Sequence, residues 1–301
     1  MSAADSGQSP ERQRFDRLLG ELRPKLHRYC GRMTGSVIDG EDVVQEALLK
    51  AVQAYPQAEP IDDIEAWLFR IAHNAALDFL RRRARHDAAR AGEDPDMVID
   101  PTSPTEDRLA AAASLRTFMR LPVAQRSTVI LKDVLGYSLH EVGRVTEISL
   151  PAVKAALHRG RARLRELASE PEDLTVPALG EPERSLFLAY VDRFNARDFD
   201  AIRDMLADEV RLELVNRIRM DGRREVGKYL HNYSLAHDWH FVPALLERRP
   251  ALAVRDPGDP SAAVAYFVLL QWQQGRLIHI RDFRYARYVT EGADVVVATV
   301  T

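Results

Sequence analysis

A chain of 301 residues is longer than one small domain, and its 46% apolar content gives each of two or three domains enough to bury a core. A formal net charge of −3 excludes a uniformly basic coat, so any contact with nucleic acid has to come from local clusters. Cys30, the single cysteine, excludes an intramolecular disulfide and a cysteine-based zinc cluster. The leader MSAADSGQSPERQRF lacks the apolar segment of a signal peptide, and no run reaches membrane-spanning length, so a reducing cytoplasm is the expected setting.

Charge is segregated along the chain. Five arginines fall between Arg81 and Arg90, acids crowd Glu93 to Asp107, and a second basic cluster runs from Lys154 to Arg165. Phe15 to Met33 reads as a helix with Phe15, Leu18, Leu19, Leu22, Leu26 and Tyr29 on one side, locally kinked at Pro24. After a break at Thr34-Gly35, IDGEDVVQEALLKAVQAY buries Val44, Ala47, Leu48, Ala51, Val52 and Tyr55. That stripe turns Asp42, Gln45, Glu46, Leu49 and Gln53 outward. Acids near a helix start also complement the macrodipole, so their position alone does not demand a partner.

The next helix opens at IEAWLFRIAHNAALDFLRRRAR, with Ile64, Trp67, Leu68 and Ile71 inward; spacing leaves its continuity through Asn74 open. Leu77, Phe79 and Leu80 point inward beyond it, and Arg81, Arg82, Arg83 and Arg85 outward. From His86 to Asp107 the chain is rich in Pro, Asp and Glu and reads as an irregular linker. Helix resumes over Thr105–Met119, with Leu109, Ala112, Ala113 and Phe118 for burial. A further helix follows Leu121-Pro122, with Val129, Ile130, Leu131 and Val134 inward.

The stretch GYSLHEVGRVTEISLPAVKAALHRGRARLREL then predicts two helices joined by a tight turn. Ser149 is placed to N-cap the second and Pro151 to fill its first turn. Ile148, Val153, Ala156, Leu157 and Leu164 form its buried stripe, opposite Lys154, His158, Arg159, Arg161, Arg163 and Arg165. A short helix, a tight turn and a helix with one guanidinium-dense face fit the helix-turn-helix geometry of major-groove binders.

Taken together, these segments carry a family resemblance. DVVQEALLKAVQAY followed by AWLFRIAHNAALDFLRRRAR resembles region 2 of bacterial extracytoplasmic-function (ECF) sigma factors. LPVAQRSTVILKDVLGYSLHEV with LPAVKAALHRGRARLREL resembles their region 4, and the ordered pair covers roughly residues 11–168. The resemblance implies that Asp42, Gln45 and Glu46 dock on the β′ coiled coil of core RNA polymerase. It implies that Ala72–Ala76 forms a loop capturing an unstacked base of the −10 promoter element, with Asn74 reading a base edge against its plainer role as a helix cap. Arg81 and Arg82 would hold the opened strand by its phosphates, Asp78 orienting a neighbouring arginine. Region 4 would read the −35 element through Lys154, His158, Arg159 and Arg163 and pack on the β flap. The acidic linker would either mimic nucleic acid in the polymerase channel or act as a solvated tether. The turn departs from the family pattern, with Glu147-Ile148 where members often carry Leu-Gly.

Beyond Ala168 comes a second linker and about 120 further residues. SLFLAYVDRFNARDFDAIRDMLADEVRLELV predicts two helices and a strand, and GRREVGKYLHNY a third helix. Strands are expected over 241–247, 252–255, 262–272 and 277–288, with Gln274-Gly275 turning a hairpin. This α-α-β-α-β-β-β order resembles the SnoaL-like (nuclear-transport-factor-2-like) cone. The resemblance implies a fused regulator that contacts the sigma domains, although Met220-Asp221-Gly222-Arg223-Arg224 departs from the glycine-rich motif of related fusions. His237, His240, His279, Asp282 and Tyr266 would form an acid–base set if they converged.

The expected fold is therefore multidomain: two all-α sigma domains followed by an α+β SnoaL-like cone. Its divisions are region 2 at 11–86, acidic linker at 87–107, region 4 at 108–168, linker at 169–182 and the regulatory domain at 183–301. The expected function is a promoter-specificity subunit partnered by core RNA polymerase and promoter DNA, with no catalytic residues, metal, cofactor or membrane contact. Two other readings are a DNA-binding regulator that does not dock on polymerase and a SnoaL-type enzyme on a DNA-binding carrier.

Overall fold

The protein, described as a computed structural model over residues 10–58, 60–91, 113–168, 183–259 and 263–297, divides into two compact units, Met1–Glu172 and Asp173–Thr301. No described helix is long and apolar enough to cross a membrane.

The first unit is all helical. Helix α1 (Pro10–Thr34) contains Pro24 and buries Phe15, Leu19, Leu22, Leu26, Tyr29 and Met33, a spacing of alternating fours and threes. Gly35, at φ 77°, ends it in the left-handed conformation that glycine adopts without penalty. Ser36 then caps α2 (Val37–Ala54), its Oγ accepting the Asp39 N–H at 3.1 Å. Helix α3 (Ile64–Ala91) starts beside Asp63, whose carboxylate accepts the Ala66 N–H at 2.9 Å.

Helix α3 is continuous through Asn74, so the segment expected as a base-capturing loop is helical. Ala72, His73, Ala75 and Ala76 pack into the core while Asn74 faces solvent; with no glycine or proline among them, nothing interrupts the hydrogen-bond ladder. The helix also continues five residues past the expected linker start at residue 87. Residues 92–112, which take in most of the expected acidic linker and the first part of the helix expected over Thr105–Met119, lie outside the described residues, as does the linker 169–182; within 113–119 the helix begins only at Leu115.

Helix α4 (Leu115–Met119) is capped by Ser114, and α5 (Val123–Val129) follows Pro122. The chain widens into a π-helical turn at Ile130–Val134, where Leu135 N–H bonds back to Ile130 C=O. Helix α6 (Leu139–Thr146) opens on a reciprocal capping box, Ser138 Oγ accepting from Glu141 N–H and Glu141 accepting from Ser138 N–H. Helix α7 (Leu150–Ala168) has Ser149 as its cap, with Pro151 in the first turn as expected. The turn between α6 and α7 rests on Glu147 in the left-handed region (φ 58°), a conformation that costs a residue with a Cβ.

One apolar cluster runs through both helical segments, from Phe15, Tyr29 and Phe69 to Phe118, Val129, Leu157 and Leu167. Arg126 of α5, 4% exposed, stitches the two halves together. Its guanidinium donates to the carbonyls of Met33 at 2.6 Å, Leu121 at 2.9 Å and Met119 at 3.1 Å, so a side chain from α5 caps the C-terminal end of α1. Nearby, Tyr137 Oη donates to the Glu65 carboxylate, and Lys25 sits 4.2 Å from the Tyr137 ring centroid.

The second unit sets helices α8 (Glu183–Asn195), α9 (Phe199–Met205) and α10 (Arg223–Leu235) with one seven-stranded sheet of order β2-β1-β6-β5-β4-β3-β7. The strands are β1 (Leu206–Leu214), β2 (Ile218–Asp221), β3 (His240–Leu246), β4 (Arg249–Arg255), β5 (Tyr266–Gln273), β6 (Arg276–Asp282) and β7 (Val295–Val297). Only the β1–β6 pair is parallel among them. Gln274 and Gly275, both at positive φ, turn the β5–β6 hairpin as the sequence predicts. The expected strand over 277–288 stops instead at Asp282, whose carboxylate turns back to accept the Arg284 N–H at 2.8 Å. Strands β1, β3, β4, β5 and β6 answer to the five expected strand segments, one more than the α-α-β-α-β-β-β order counts, and β2 and β7 are additions.

Candidate nucleic-acid interface

The stripe that buries Val153, Ala156, Leu157 and Leu164 of α7 fixes which of its side chains reach solvent. Lys154, His158 and Arg159 are exposed on consecutive turns. Arg163 is partly exposed and held by Glu166 at 2.8 Å. Arg161 is taken out of the basic face by a two-pronged bond to Asp133 at 2.7 and 2.9 Å. The open positive surface of α7 is thus narrower than the sequence stripe, centred on Lys154, His158 and Arg159.

The second basic surface lies at the end of α3. Arg81, Arg82 and Arg83 are exposed in succession, so they fan around the helix, and each meets a carboxylate: Asp78 at 3.2 Å, Glu46 at 2.9 Å and Asp39 at 3.5 Å. Asn74 stands exposed two turns earlier on the same helix, separated from this fan. On α2, Asp42 is exposed and Gln45 and Glu46 are partly exposed. Glu46 divides its two oxygens between Lys50 at 2.8 Å and Arg82 at 2.9 Å. Partial burial works to raise its pKa, but the hydrogen bonds from Lys50 and Arg82 outweigh that and hold the carboxyl below its ordinary value.

The sequence missed Asp39 and Lys50 as members of this cluster. The available signal was the Glu46–Lys50 spacing of four; nothing in the pattern pairs α2 with α3. The buried His73, one residue before Asn74, is structural. Its Nδ1 lies 2.7 Å from Tyr29 Oη, and burial pushes its pKa down to about 4.

In the second unit the histidines do not join the buried polar group. His237 and His240 are exposed. His279 pairs in register with Arg211 and Gln271, on the sheet face opposite Ile280 and Asp282, because side chains alternate along β6. Asp282 (0% exposed) accepts from Tyr233 at 2.7 Å and Tyr229 at 3.0 Å, and Tyr266 reaches it through Tyr233 at 3.1 Å. Among the described residues, no group of three or more His, Cys, Asp or Glu is placed to hold a metal ion.

Burial raises the Asp282 pKa above its ordinary 3.8 despite the tyrosine and backbone donors. Below pH 3.8 both folded and unfolded chains carry this proton. As pH rises from there through the folded value the unfolded chain releases it first, so this carboxyl progressively lowers stability before levelling off. Asp282→Asn is expected to remove that slope, followed by urea unfolding across pH on the fluorescence of Trp239 and Trp272. Asp282→Leu is expected to cost about 2–4 kcal/mol by leaving two buried hydroxyls without their acceptor.

Comparison with known proteins places both helical segments. Residues 18–86 match Sigma-70 region 2, and residues 115–164 match Sigma-70, region 4. The ECF RNA polymerase sigma factor SigM of Mycobacterium tuberculosis is 35% identical over 157 residues, covering 52% of this chain and 78% of SigM. The ECF RNA polymerase sigma factor SigG of the same species is 32% identical over 244 residues, covering 70% of this chain and 65% of SigG's length. Among solved structures, extracytoplasmic function sigma factor SigJ of M. tuberculosis covers 89% of this chain and 95% of its own at 19% identity and a TM-score of 0.34.

Proposed function

The chain belongs to the ECF RNA polymerase sigma factors, and from that premise we propose that it binds core RNA polymerase, recognises two promoter elements and directs transcription initiation in the cytoplasm. The observation that carries the reading is the helix-turn-helix of α6 and α7, which buries one stripe of α7 and leaves Lys154, His158 and Arg159 on its open face. These three, with Arg163, contact the −35 element; Arg81 and Arg82 hold the −10 strand by its phosphates, and Asn74 reads a base from the surface of α3. Asp42, Gln45 and Glu46 form the polymerase-docking face, where carboxylates meet basic groups on the partner. Region 4 adds a contact with the β flap. The chemistry of RNA synthesis stays with the polymerase. The second unit modulates that initiation activity.

The test is assembly and in-vitro transcription with core polymerase. Reversing two docking charges, Asp42→Lys with Glu46→Lys, places like charges across the interface. Core affinity is expected to fall at least about 100-fold, equivalent to roughly 2.7 kcal/mol. Undiminished core binding by that variant would remove Asp42 and Glu46 from the docking face, whereas no core binding by the parent chain would leave a DNA-binding protein that acts without polymerase.

A further inference from the structure

Glu46 belongs to the docking face, and Arg82 to the strand-holding group, yet in this structure the two side chains bond each other across α2 and α3 at 2.9 Å. Both Glu46 oxygens are engaged, one by Lys50 and one by Arg82. The neighbouring arginines follow the same plan, with Arg83 beside Asp39 of α2 and Arg81 beside Asp78. A phosphate approaching Arg82 meets a carboxylate already seated there, and a basic partner approaching Glu46 meets two cations already paired with it. Neither contact forms at full strength while the intramolecular bond stands.

We propose that Glu46 is a gating carboxylate: in the free chain it masks Arg82 from DNA, and docking on a basic polymerase surface draws it away and releases Arg82 to the promoter strand. This rests on the function proposed above and adds a coupling between its two halves. Because such coupling is reciprocal, strand binding at Arg82 equally frees Glu46 for the polymerase. The pair is partly exposed, with half of the Arg82 side chain open to solvent. The effect is therefore of the size an exposed ion pair supports, a few-fold, and it shrinks with salt.

The experiment uses the full-length chain without polymerase and a labelled single-stranded oligonucleotide of about 16 nucleotides. Four proteins are compared: the parent, Glu46→Gln, Arg82→Gln and the double variant. Glu46→Gln is expected to bind roughly threefold more tightly. Its plot of log affinity against log salt should steepen by about 0.7, the increment for one added phosphate contact on a single strand. Arg82→Gln should cost little in the parent and remove the whole gain in the Glu46→Gln background.

Equal costs of Arg82→Gln in both backgrounds would overturn the proposal while leaving Arg82 a strand-holding residue. No cost in either background would remove Arg82 from the DNA contact as well. Unchanged affinity in Glu46→Gln also overturns the gate, independently of the core-binding result with the lysine variants.

Discussion

Gly40→Ala is expected to destabilise the first unit by about 2–3 kcal/mol, an unusually large effect for one added methyl group on a helix. Alanine is intrinsically the better helix former by about 1 kcal/mol, so propensity alone predicts the opposite sign. The reason is where α1 and α2 cross. A Cβ on Gly40 would lie 2.6 Å from both the Cα and the N of Gly31, and backbone atoms cannot rotate aside as a side-chain tip does. The helices have to move apart. Such a shift disturbs Glu41, which is fully buried against Arg23, and displaces Asp42 and Glu46 on the proposed docking face. Gly31→Ala is the control: its Cβ would meet nothing nearer than 3.7 Å, so that substitution is expected to be neutral or to gain up to about 1 kcal/mol. Urea unfolding of both variants, with core binding measured alongside, checks the contrast. Equal effects of the two would mean that the helix crossing tolerates the added volume.

The features legible from sequence are those that repeat. The stripe of Phe15, Leu19, Leu22, Leu26 and Tyr29, the cap at Ser149 with Pro151 in the first turn, and the Gln274-Gly275 turn each follow from a period or a residue with a special backbone preference. Single buried charges leave no such trace: in the sequence, Glu41 and Arg126 are two polar residues of helical segments. Turns made by ordinary residues are equally silent. Glu247 and Arg248 sit at φ 51° and 66° between β3 and β4, where Asn-Gly would have announced the turn. At the nucleic-acid interface, the basic faces of α3 and α7 were readable, but their neutralisation was not. Asp133 binds Arg161, and Glu46 binds Arg82, across 28 and 36 residues of sequence.

Arg126→Ala is expected to cost about 3 kcal/mol and to weaken the junction between the two helical segments. Three carbonyls, two of them buried, lose this donor at once, among them Met33, where the C-terminal end of α1 gathers negative dipole against the guanidinium. Burial lowers the Arg126 pKa to about 10, partly opposed by the nearby Tyr29, so the group stays cationic at neutral pH. Arg126→Lys is not expected to restore the loss, because an ammonium cannot span three carbonyls held in the planar reach of a guanidinium. In denaturant, the parent first unit should unfold in one transition through its shared apolar cluster, and the alanine variant in two, the α4–α7 half separating before α1–α3. The junction bears on promoter recognition by simple distance. Elements roughly 25 base pairs apart lie about 85 Å apart along B-DNA at 3.4 Å per step. On the proposed function, a unit whose two reading helices share one core is expected to part at this seam to reach both. Loosening Arg126 should therefore cost stability in the free chain and yet spare, or even favour, the open form on DNA. Lower stability together with undiminished promoter affinity is the expected pair of results. Loss of both would make the junction part of the reading conformation.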